Sequence, residues 1–265
     1  MTDPAAASPA RPPRVFITGA SSGIGAALAR HYASRGALLG LVARRGDRLE
    51  ALVRELGGAH FSYPADVSDA DALAAAAQNF MSRSGAPDIV IANAGISVGT
   101  LTEHAADLAA FERVFAINVA GMFATFAPFV SAMRAAGRGR LVGVASVAGI
   151  RGMPGAGAYC ASKAAAIAYL ESLRVELRGS GVQVVTLCPG YIETPMTAVN
   201  PYRMPFILPA DEAARRMARA IDVGRSYAVV PWQMAIVAKL LRMLPNPLFD
   251  LLFWRAGRKP RGLQV

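Results

Sequence analysis

The chain has 265 residues and is 54% apolar, which excludes extended disorder over most of its length and suits one large α/β domain. Its formal net charge is +10, carried mainly by arginine. The two cysteines, Cys160 and Cys188, do not suggest a disulfide framework, so we expect a protein of the reducing cytoplasm.

Short apolar runs alternate with helical patterns along most of the chain. Strands are predicted at 15–18, 38–43, 59–63, 88–92, 140–145 and 182–187, and helices up to about 35 and at 47–56, 69–82, 108–136 and 158–178. This alternation predicts βαβ units with right-handed crossovers. We therefore expect an α/β fold, a single doubly wound Rossmann-type domain whose parallel sheet of about seven strands has helices on both faces.

Composition marks the segments around this domain. Residues 1–13 are rich in proline and lack the apolar stretch of a secretory signal, which predicts a disordered tail. The dinucleotide-binding catalytic domain is predicted at 14–230, with an irregular substrate-loop region at 195–215. Residues 231–265 form a basic, apolar C-terminal extension.

The stretch 114–133 has no charged residue and is long enough to span a bilayer. It contains Asn118, Gly121, Thr125, Pro128 and Ser131, which favour a buried helix of a soluble core. We therefore interpret it as a core helix.

A glycine-rich turn follows the first predicted strand. Its spacing, Gly19-x-x-x-Gly23-x-Gly25, lets the backbone approach a pyrophosphate, and the next helix offers unpaired N–H groups to the negative charge. A simple tight turn would also explain the glycines. Their place between the first strand and the first helix favours a dinucleotide site.

Two arginines, Arg44 and Arg45, follow the second predicted strand. An NAD enzyme usually has an acid here to hold the ribose 2′-hydroxyl, whereas a guanidinium pairs with a 2′-phosphate. The pair predicts NADP(H), with NAD(H) the less favoured cofactor and a solvated basic turn as the alternative.

Tyr159 and Lys163 lie four residues apart on a predicted helix and share one face. The free pKa of tyrosine is about 10, too high for a base at neutral pH, and a nearby ammonium lowers it. The chain has 25 arginines and three lysines, at 163, 239 and 259, so a lysine suggests a position that arginine would not serve. Alone, the pair is more typical of an exposed helix surface.

With its other motifs, the sequence resembles the short-chain dehydrogenase/reductase family over about residues 14–194. The matching motifs are 18–25 (TGASSGIG), Asp66-Val67, Asn93-Ala94-Gly95, 118–121 (NVAG), Ser146, 159–163 (YCASK) and Pro189-Gly190. The sequence departs from the family pattern at Ala92 and Ala145, where Asn and Ser are frequent. We expect the first departure to change strand hydrogen bonding slightly.

The resemblance implies a catalytic tetrad. Tyr159 exchanges a proton with the substrate oxygen, Ser146 hydrogen-bonds that oxygen, Lys163 lowers the tyrosine pKa and binds the nicotinamide ribose, and Asn118 holds a relay water. The residues implied to bind the cofactor are Gly19, Ser21, Ser22, Gly23, Ile24, Gly25, Arg44, Arg45, Asp66, Val67, Asn93, Ala94, Gly95, Tyr159, Lys163, Pro189, Gly190, Ile192 and Thr194. The resemblance also implies a homodimer or homotetramer built on helices 108–136 and 158–178.

The C-terminal extension, 231–265, carries six basic residues and one acid. Trp232, Ile236, Leu240 and Met243 recur at helical spacing, before prolines break the pattern. Three roles remain open: an amphipathic anchor at the inner membrane face, a contact with a partner subunit, or a lid over an apolar substrate mouth. Nucleic-acid binding is not expected, because the charge sits among bulky apolar side chains.

These features predict an NADP(H)-dependent oxidoreductase that interconverts a carbonyl and an alcohol. Its favoured substrate is a small hydrophobic ketone or aldehyde of lipid-like, sterol-like or acyl character, and reduction is the favoured direction. The alternatives are a non-catalytic NADP(H)-binding sensor or scaffold and a membrane-surface interaction protein, and the intact tetrad argues against both.

The three histidines lack metal-ligand spacing, so no metal is expected.

Overall fold

A computed structural model describes residues 11–262 of the chain. One sheet of seven parallel strands runs through it, in the order β3-β2-β1-β4-β5-β6-β7. This arrangement confirms the predicted α/β class and its doubly wound topology. The strands are β1 (Arg14–Thr18), β2 (Leu38–Ala43), β3 (Phe61–Pro64), β4 (Ile89–Ala92), β5 (Gly139–Val144), β6 (Val182–Pro189) and β7 (Tyr227–Val230).

Ten α-helices occur in the described part of the chain. They are α1 (Gly23–Ala33), α2 (Gly46–Leu56), α3 (Ala70–Ser84), α4 (Leu108–Phe115), α5 (Gly121–Ala135), α6 (Gly157–Glu176), α7 (Pro195–Ala198), α8 (Ala210–Asp222), α9 (Trp232–Met243) and α10 (Asn246–Phe253).

Two apolar layers enclose the sheet. On one face, buried residues of α1, α2 and α8 pack on the strands, and on the other face those of α3, α5 and α6 do so. Along β1, Val15 and Ile17 belong to the first layer and Phe16 to the second, because successive strand side chains point to opposite faces. Burial on both faces explains why the strands are continuous apolar runs.

The predicted helix at 108–136 is interrupted in the structure. A π-helical turn, Ala116–Ala120, separates α4 from α5. The stretch Ala105–Ala135 is long and apolar enough to cross a membrane by composition. However, Phe126, Phe129 and Met133 are fully buried against the sheet, as expected of a core helix.

The predicted irregular region, 195–215, contains helix α7 and the start of helix α8, because the helical period of α8 begins within it. Helix α8 and strand β7 lie beyond residue 194, where the sequence pattern becomes irregular, and β7 completes the sheet beside β6. Most of the predicted disordered tail, residues 1–10, lies outside the described residues. Of the rest of that tail, Arg11 donates two hydrogen bonds to the Asp88 carboxylate, at 2.8 and 2.7 Å.

Candidate active site

Two connected clefts lie at the carboxyl ends of the strands. In the sheet, β1 and β4 are neighbours although they are not consecutive, and such a topological switch point opens a crevice above the strand ends. The first cleft lies there. The second, of about 440 Å³, is enclosed by the loops after β5 and β6 and by the C-terminal extension. Tyr159 and Met196 line both, so the clefts meet at these residues.

The glycine-rich turn forms a close-fitting cradle in the first cleft. Gly19 and Gly23 have φ values of +69° and +55°, a region that side chains disfavour. A Cβ on Gly19 would lie 2.7 Å from the Ala94 Cα atom, and one on Gly25 would lie 2.2 Å from the Gly19 carbonyl oxygen. Helix α1 begins at this turn, and its N-cap, Ser22, makes no side-chain capping bond. Free N–H groups at a helix start suit a pyrophosphate.

Asn93 holds the cradle against the end of β4. Its Nδ2 donates to the carbonyl oxygens of Thr18 and Gly19, both at 3.1 Å. The Ala94 N–H donates to the Thr18 hydroxyl at 3.4 Å. Because these bonds connect two adjacent strand ends, they fix the shape of the glycine-rich turn.

Two arginines form a basic end to the first cleft. Arg44 and Arg45 both line it, and Arg45 Nη2 donates to the hydroxyls of Ser21 and Ser22, each at 3.2 Å. The Arg44 side chain is 47% exposed. A guanidinium that remains accessible in this place can receive a phosphate.

Asp66 lies beside the arginines as the acid of the same cleft. Its carboxylate accepts hydrogen bonds from Arg113 Nη2 at 2.5 Å and from the Ser68 hydroxyl at 2.8 Å. Burial alone would raise the pKa of Asp66, but the hydrogen bonds from Ser68 and Arg113 outweigh it and lower that pKa. The carboxylate is therefore ionised at neutral pH. Val67 next to it packs closely on Gly121.

Nearly all the predicted cofactor residues line the first cleft. Those that do are Gly19, Ser21, Ser22, Gly23, Ile24, Arg44, Arg45, Asp66, Val67, Asn93, Ala94, Gly95, Tyr159, Lys163, Pro189 and Thr194.

Three predicted cofactor residues lie elsewhere. Gly25 is buried beneath the turn, where its missing side chain lets α1 approach Gly19. Gly190 lines the second cleft and packs on Met234 of α9. Ile192 is 2% exposed and pairs with Leu208 in an isolated bridge. Gly25 and Ile192 thus line neither cleft, and Gly190 lines only the second.

The four predicted catalytic residues come together where the clefts meet. Tyr159 and Lys163 lie on α6, Ser146 follows β5, and Asn118 lies in the π-helical turn. A Cβ on Gly95 would lie 3.2 Å from Asn118 Oδ1 and 3.4 Å from Lys163 Nζ, so both side chains end close to this glycine. The Lys163 ammonium donates to the Val144 carbonyl oxygen at 2.8 Å.

The pKa of Tyr159 shifts in the direction opposite to the expected one. Burial raises it to about 12, and the hydrogen bond with the Ser146 hydroxyl lowers it only in part. Lys163 Nζ lies 5.8 Å from the Tyr159 ring centroid. Burial also lowers the pKa of Lys163, to about 8. Desolvation therefore sets the direction of the Tyr159 shift, and the phenol is protonated at neutral pH.

Asn118 connects three elements around the tetrad. Its Nδ2 donates to the Ile96 carbonyl oxygen at 3.0 Å and to the Ser162 hydroxyl at 2.9 Å, and its Oδ1 accepts from the Ile96 N–H at 2.9 Å. The π-helical turn is the local irregularity that carries this fully buried side chain. The sequence gives no signal for that turn beyond the family motif.

The second cleft is mainly apolar and is lined in part by the C-terminal extension. Met234, Val237 and Leu241 of α9 and Phe253 of α10 line it together with the loop that follows Ser146. The inner face of the extension therefore lines the apolar cleft, the position that the lid hypothesis requires. Its outer face remains exposed.

Arg151 attaches the extension, and sequence reasoning missed it. Its Nη1 donates to the carbonyl oxygens of Leu241 and Leu244, at 2.5 and 2.6 Å, and its Nη2 donates to Asn246 Oδ1 at 3.0 Å. Its guanidinium also stacks 4.0 Å from the Phe249 ring centroid. These bonds satisfy the free carbonyls at the end of α9. The sequence offers no periodicity that would single out this arginine.

Comparison with known proteins agrees with this geometry. A family model described as short chain dehydrogenase matches residues 13–203. An uncharacterized oxidoreductase of Myxococcus xanthus is 38% identical over 238 residues, which cover 89% of this chain and 94% of that protein.

Two solved structures share the fold. A short chain dehydrogenase/reductase from Burkholderia phymatum in complex with NAD has a TM-score of 0.80 and 26% identity, and covers 95% of this chain and 98% of its own. An alcohol dehydrogenase from the archaeon Thermococcus sibiricus, complexed with 5-hydroxy-NADP, has a TM-score of 0.75 and 29% identity, with coverage of 83% and 96%.

Proposed function

The chain belongs to the short-chain dehydrogenase/reductase family, and we propose that it uses NADPH to reduce a small hydrophobic ketone or aldehyde to its alcohol. Membership makes it an oxidoreductase that acts on CH–OH and C=O groups. Such proteins use a nicotinamide dinucleotide, and the preference for NADP(H) is part of the proposal.

One observation carries the proposal: a phenol, Tyr159, stands where a polar cleft with a glycine cradle meets an apolar cleft. The polar cleft offers free helix N–H groups and an accessible guanidinium, which fit a dinucleotide phosphate chain. The apolar cleft fits a hydrophobic substrate. Only at their junction could a substrate carbonyl reach both the cofactor and a proton donor.

The bound nicotinamide supplies the hydride. The chain's own residues manage the charge that develops on the substrate oxygen: the hydroxyls of Ser146 and Tyr159 donate hydrogen bonds to it. Tyr159 then gives up its phenolic proton to that oxygen. Lys163 is assigned to the nicotinamide ribose, and its ammonium also favours the tyrosinate that results. In this proposal, Asn118 holds a water molecule from which Tyr159 and Lys163 regain a proton.

The protonation state of Tyr159 favours reduction. The pKa of a free phenol is already above neutral pH, and burial raises that of Tyr159 further, to about 12, so the acid form dominates at neutral pH. Reduction needs that form, whereas oxidation of an alcohol needs tyrosinate as the base. The same reasoning predicts that oxidation speeds up at alkaline pH.

Arg44 and Arg45 support the preference for NADP(H). Both side chains lie at the end of β2, where the adenosine ribose binds in doubly wound dinucleotide folds. A 2′-phosphate would pair with a guanidinium there, whereas the ribose hydroxyl of NAD carries no charge that could do so.

Steady-state kinetics would test the proposal. We expect oxidation of NADPH by apolar ketones and aldehydes, at least about tenfold faster in kcat/KM than oxidation of NADH. Tyr159→Phe, which keeps the ring but removes the acid, should lose at least about a hundredfold. Arg44→Ser should raise KM for NADPH and leave KM for NADH unchanged. Faster turnover with NADH would refute the cofactor assignment, and no turnover in any wild-type assay would favour a sensor or scaffold.

We also propose a homodimer or homotetramer built on α4, α5 and α6. Leu108, Phe123 and Val175 of these helices are large apolar side chains that are 60%, 58% and 62% exposed. A self-complementary helix face is a common basis for a symmetric dimer. Phe123→Glu should convert the oligomer to a smaller species in analytical ultracentrifugation. Val223→Glu, an exposed position beyond these helices, serves as the control.

For the outer face of the extension, we propose peripheral contact with an anionic membrane from the cytoplasmic side. Trp232, Leu240, Leu251 and Trp254 are each at least 60% exposed there, beside the exposed Lys239. Apolar and basic side chains together suit an interfacial helix. Leu251→Glu should abolish flotation with anionic vesicles, and equal flotation of wild type and variant would refute the contact. Contact with a partner subunit is the competing outcome.

A further inference from the structure

A lysine lies buried in the apolar substrate cleft. Lys259 is 8% exposed and lines that cleft together with Tyr202, Met234 and Phe253. The sequence otherwise uses arginine for nearly all its basic positions. Of its three lysines, Lys163 belongs to the tetrad and Lys259 lines the adjoining cleft.

The ammonium of Lys259 is poorly satisfied by the protein. Its Nζ donates to the Met196 carbonyl oxygen at 3.1 Å, and among residues 11–262 it makes no further hydrogen bond and no ion pair. An ammonium has three donors. Asp107, the acid that the same segment contacts, is bonded to Arg261 at 2.7 Å. Burial lowers the pKa of Lys259 to about 8, which still leaves the amine mostly charged at pH 7.

The backbone holds this lysine in place. The Gly99 N–H donates to the Pro260 carbonyl oxygen at 2.9 Å. A Cβ on Gly99 would lie 2.1 Å from the Lys259 carbonyl oxygen, so the segment fits closely against the loop that follows β4. Two residues further on, Arg261 forms an ion pair with Asp107 that also fixes the segment. Lys259 therefore belongs to a built wall of the cleft and not to a loose chain end.

An unpaired buried ammonium is costly unless a ligand completes it. We propose that Lys259 binds the carboxylate of an apolar keto acid whose carbonyl lies at Tyr159. One ammonium offers a single positive charge and two unused N–H donors, which match one carboxylate in charge and in hydrogen bonding. Met196, whose carbonyl oxygen Lys259 contacts, lines both clefts, so the anion site lies near their junction. The inference rests on the proposed function, because it names the substrate class of the same site.

Matched acids and esters would test this proposal. Reduction of 4-oxopentanoate, 6-oxoheptanoate and 8-oxononanoate is compared with that of their methyl esters, at saturating NADPH. For one chain length, we expect wild-type kcat/KM to be at least about tenfold higher for the acid, the effect of one charge-assisted hydrogen bond. Lys259→Met should remove this preference and change ester turnover by less than about twofold. Lys259→Arg should retain part of it.

Lys239→Met is the matched control, since Lys239 is an exposed lysine of the same extension. It should leave the ratio of acid to ester unchanged. If Lys259→Met slows acid and ester equally, Lys259 only positions the loop that holds Met196, and the proposal is overturned. If wild type shows no preference for any acid, the proposal is overturned without reference to a variant.

A binding measurement separates this proposal from the proposed function. Titration calorimetry compares octanoate with 1-octanol on the full chain, with and without NADP⁺. Octanoate should bind wild type at least about tenfold more tightly than Lys259→Met, and 1-octanol should bind both equally. Lysine-dependent octanoate binding without any ketone turnover would support the anion site and refute the reductase. Ketone turnover with no octanoate binding would do the reverse.

Discussion

Replacing Arg151 with methionine tests whether one side chain holds the C-terminal extension on the substrate cleft. The change keeps most of the aliphatic stem but removes the donors to Leu241, Leu244 and Asn246. A hydrogen bond from a charged donor contributes about 1.5–3 kcal/mol. Because Arg151 is half-buried and its acceptors can turn to water, we expect a net loss of about 2 kcal/mol in docking. That value corresponds to ~30-fold in the docking equilibrium.

Hydrogen exchange with mass spectrometry measures this directly. Amides of α9 and α10 should exchange ~30-fold faster in the variant, while those of β1 and α1 should not change. KM for an apolar ketone should rise, and the Kd of NADPH should stay constant. Arg255→Met, which removes an arginine stacked 4.2 Å from the Trp254 ring, is the control and should affect none of these. Unchanged protection of α9 in Arg151→Met would refute the reasoning.

Three further predictions concern the cofactor cradle, the tetrad and the core. Gly25→Ala places a Cβ 2.2 Å from the Gly19 carbonyl oxygen, so the Kd of NADPH should rise at least about tenfold, measured by fluorescence titration. Because burial lowers the pKa of Lys163 to about 8 while Tyr159 stays protonated, reductive kcat/KM should fall as pH rises through about 8. A fall on the acid side instead would contradict this assignment. Phe126→Ala, at a fully buried position, should lower the free energy of unfolding by about 3–5 kcal/mol in urea titration, without changing KM.

The sequence was sufficient to predict the sheet and the cofactor cleft, because both depend on local patterns. Apolar runs bounded by turns locate six of the strands, and the glycine spacing of the first turn places the cradle between β1 and α1. The tetrad was found through the family motifs, since its members come from three separate elements. The predicted direction of the Tyr159 pKa shift was wrong, because burial raises this pKa, and residue spacing does not show burial.

The part beyond residue 194 was harder to predict. Helix α8 has buried residues at 213, 214, 217, 218 and 221, a helical period that was present in the sequence but followed an irregular loop. Lys259 bonds to Met196 and Arg151 bonds to Leu241, and each pair is roughly 60–90 residues apart in the chain. No local pattern reports such pairings.

Two parts of the chain line the apolar cleft, and they are under different functional constraints. The loop after β5 carries Ser146, whose position the proposed mechanism requires, whereas α9 contributes Val237 and Leu241 from outside the sheet. Substitutions on that helix can therefore reshape the wall while the proton donor, the glycine cradle and the strands stay as they are. The inner face of the extension is therefore the region where substitutions should alter substrate selectivity. A set of variants confined to that face should change which ketones are accepted before it lowers kcat.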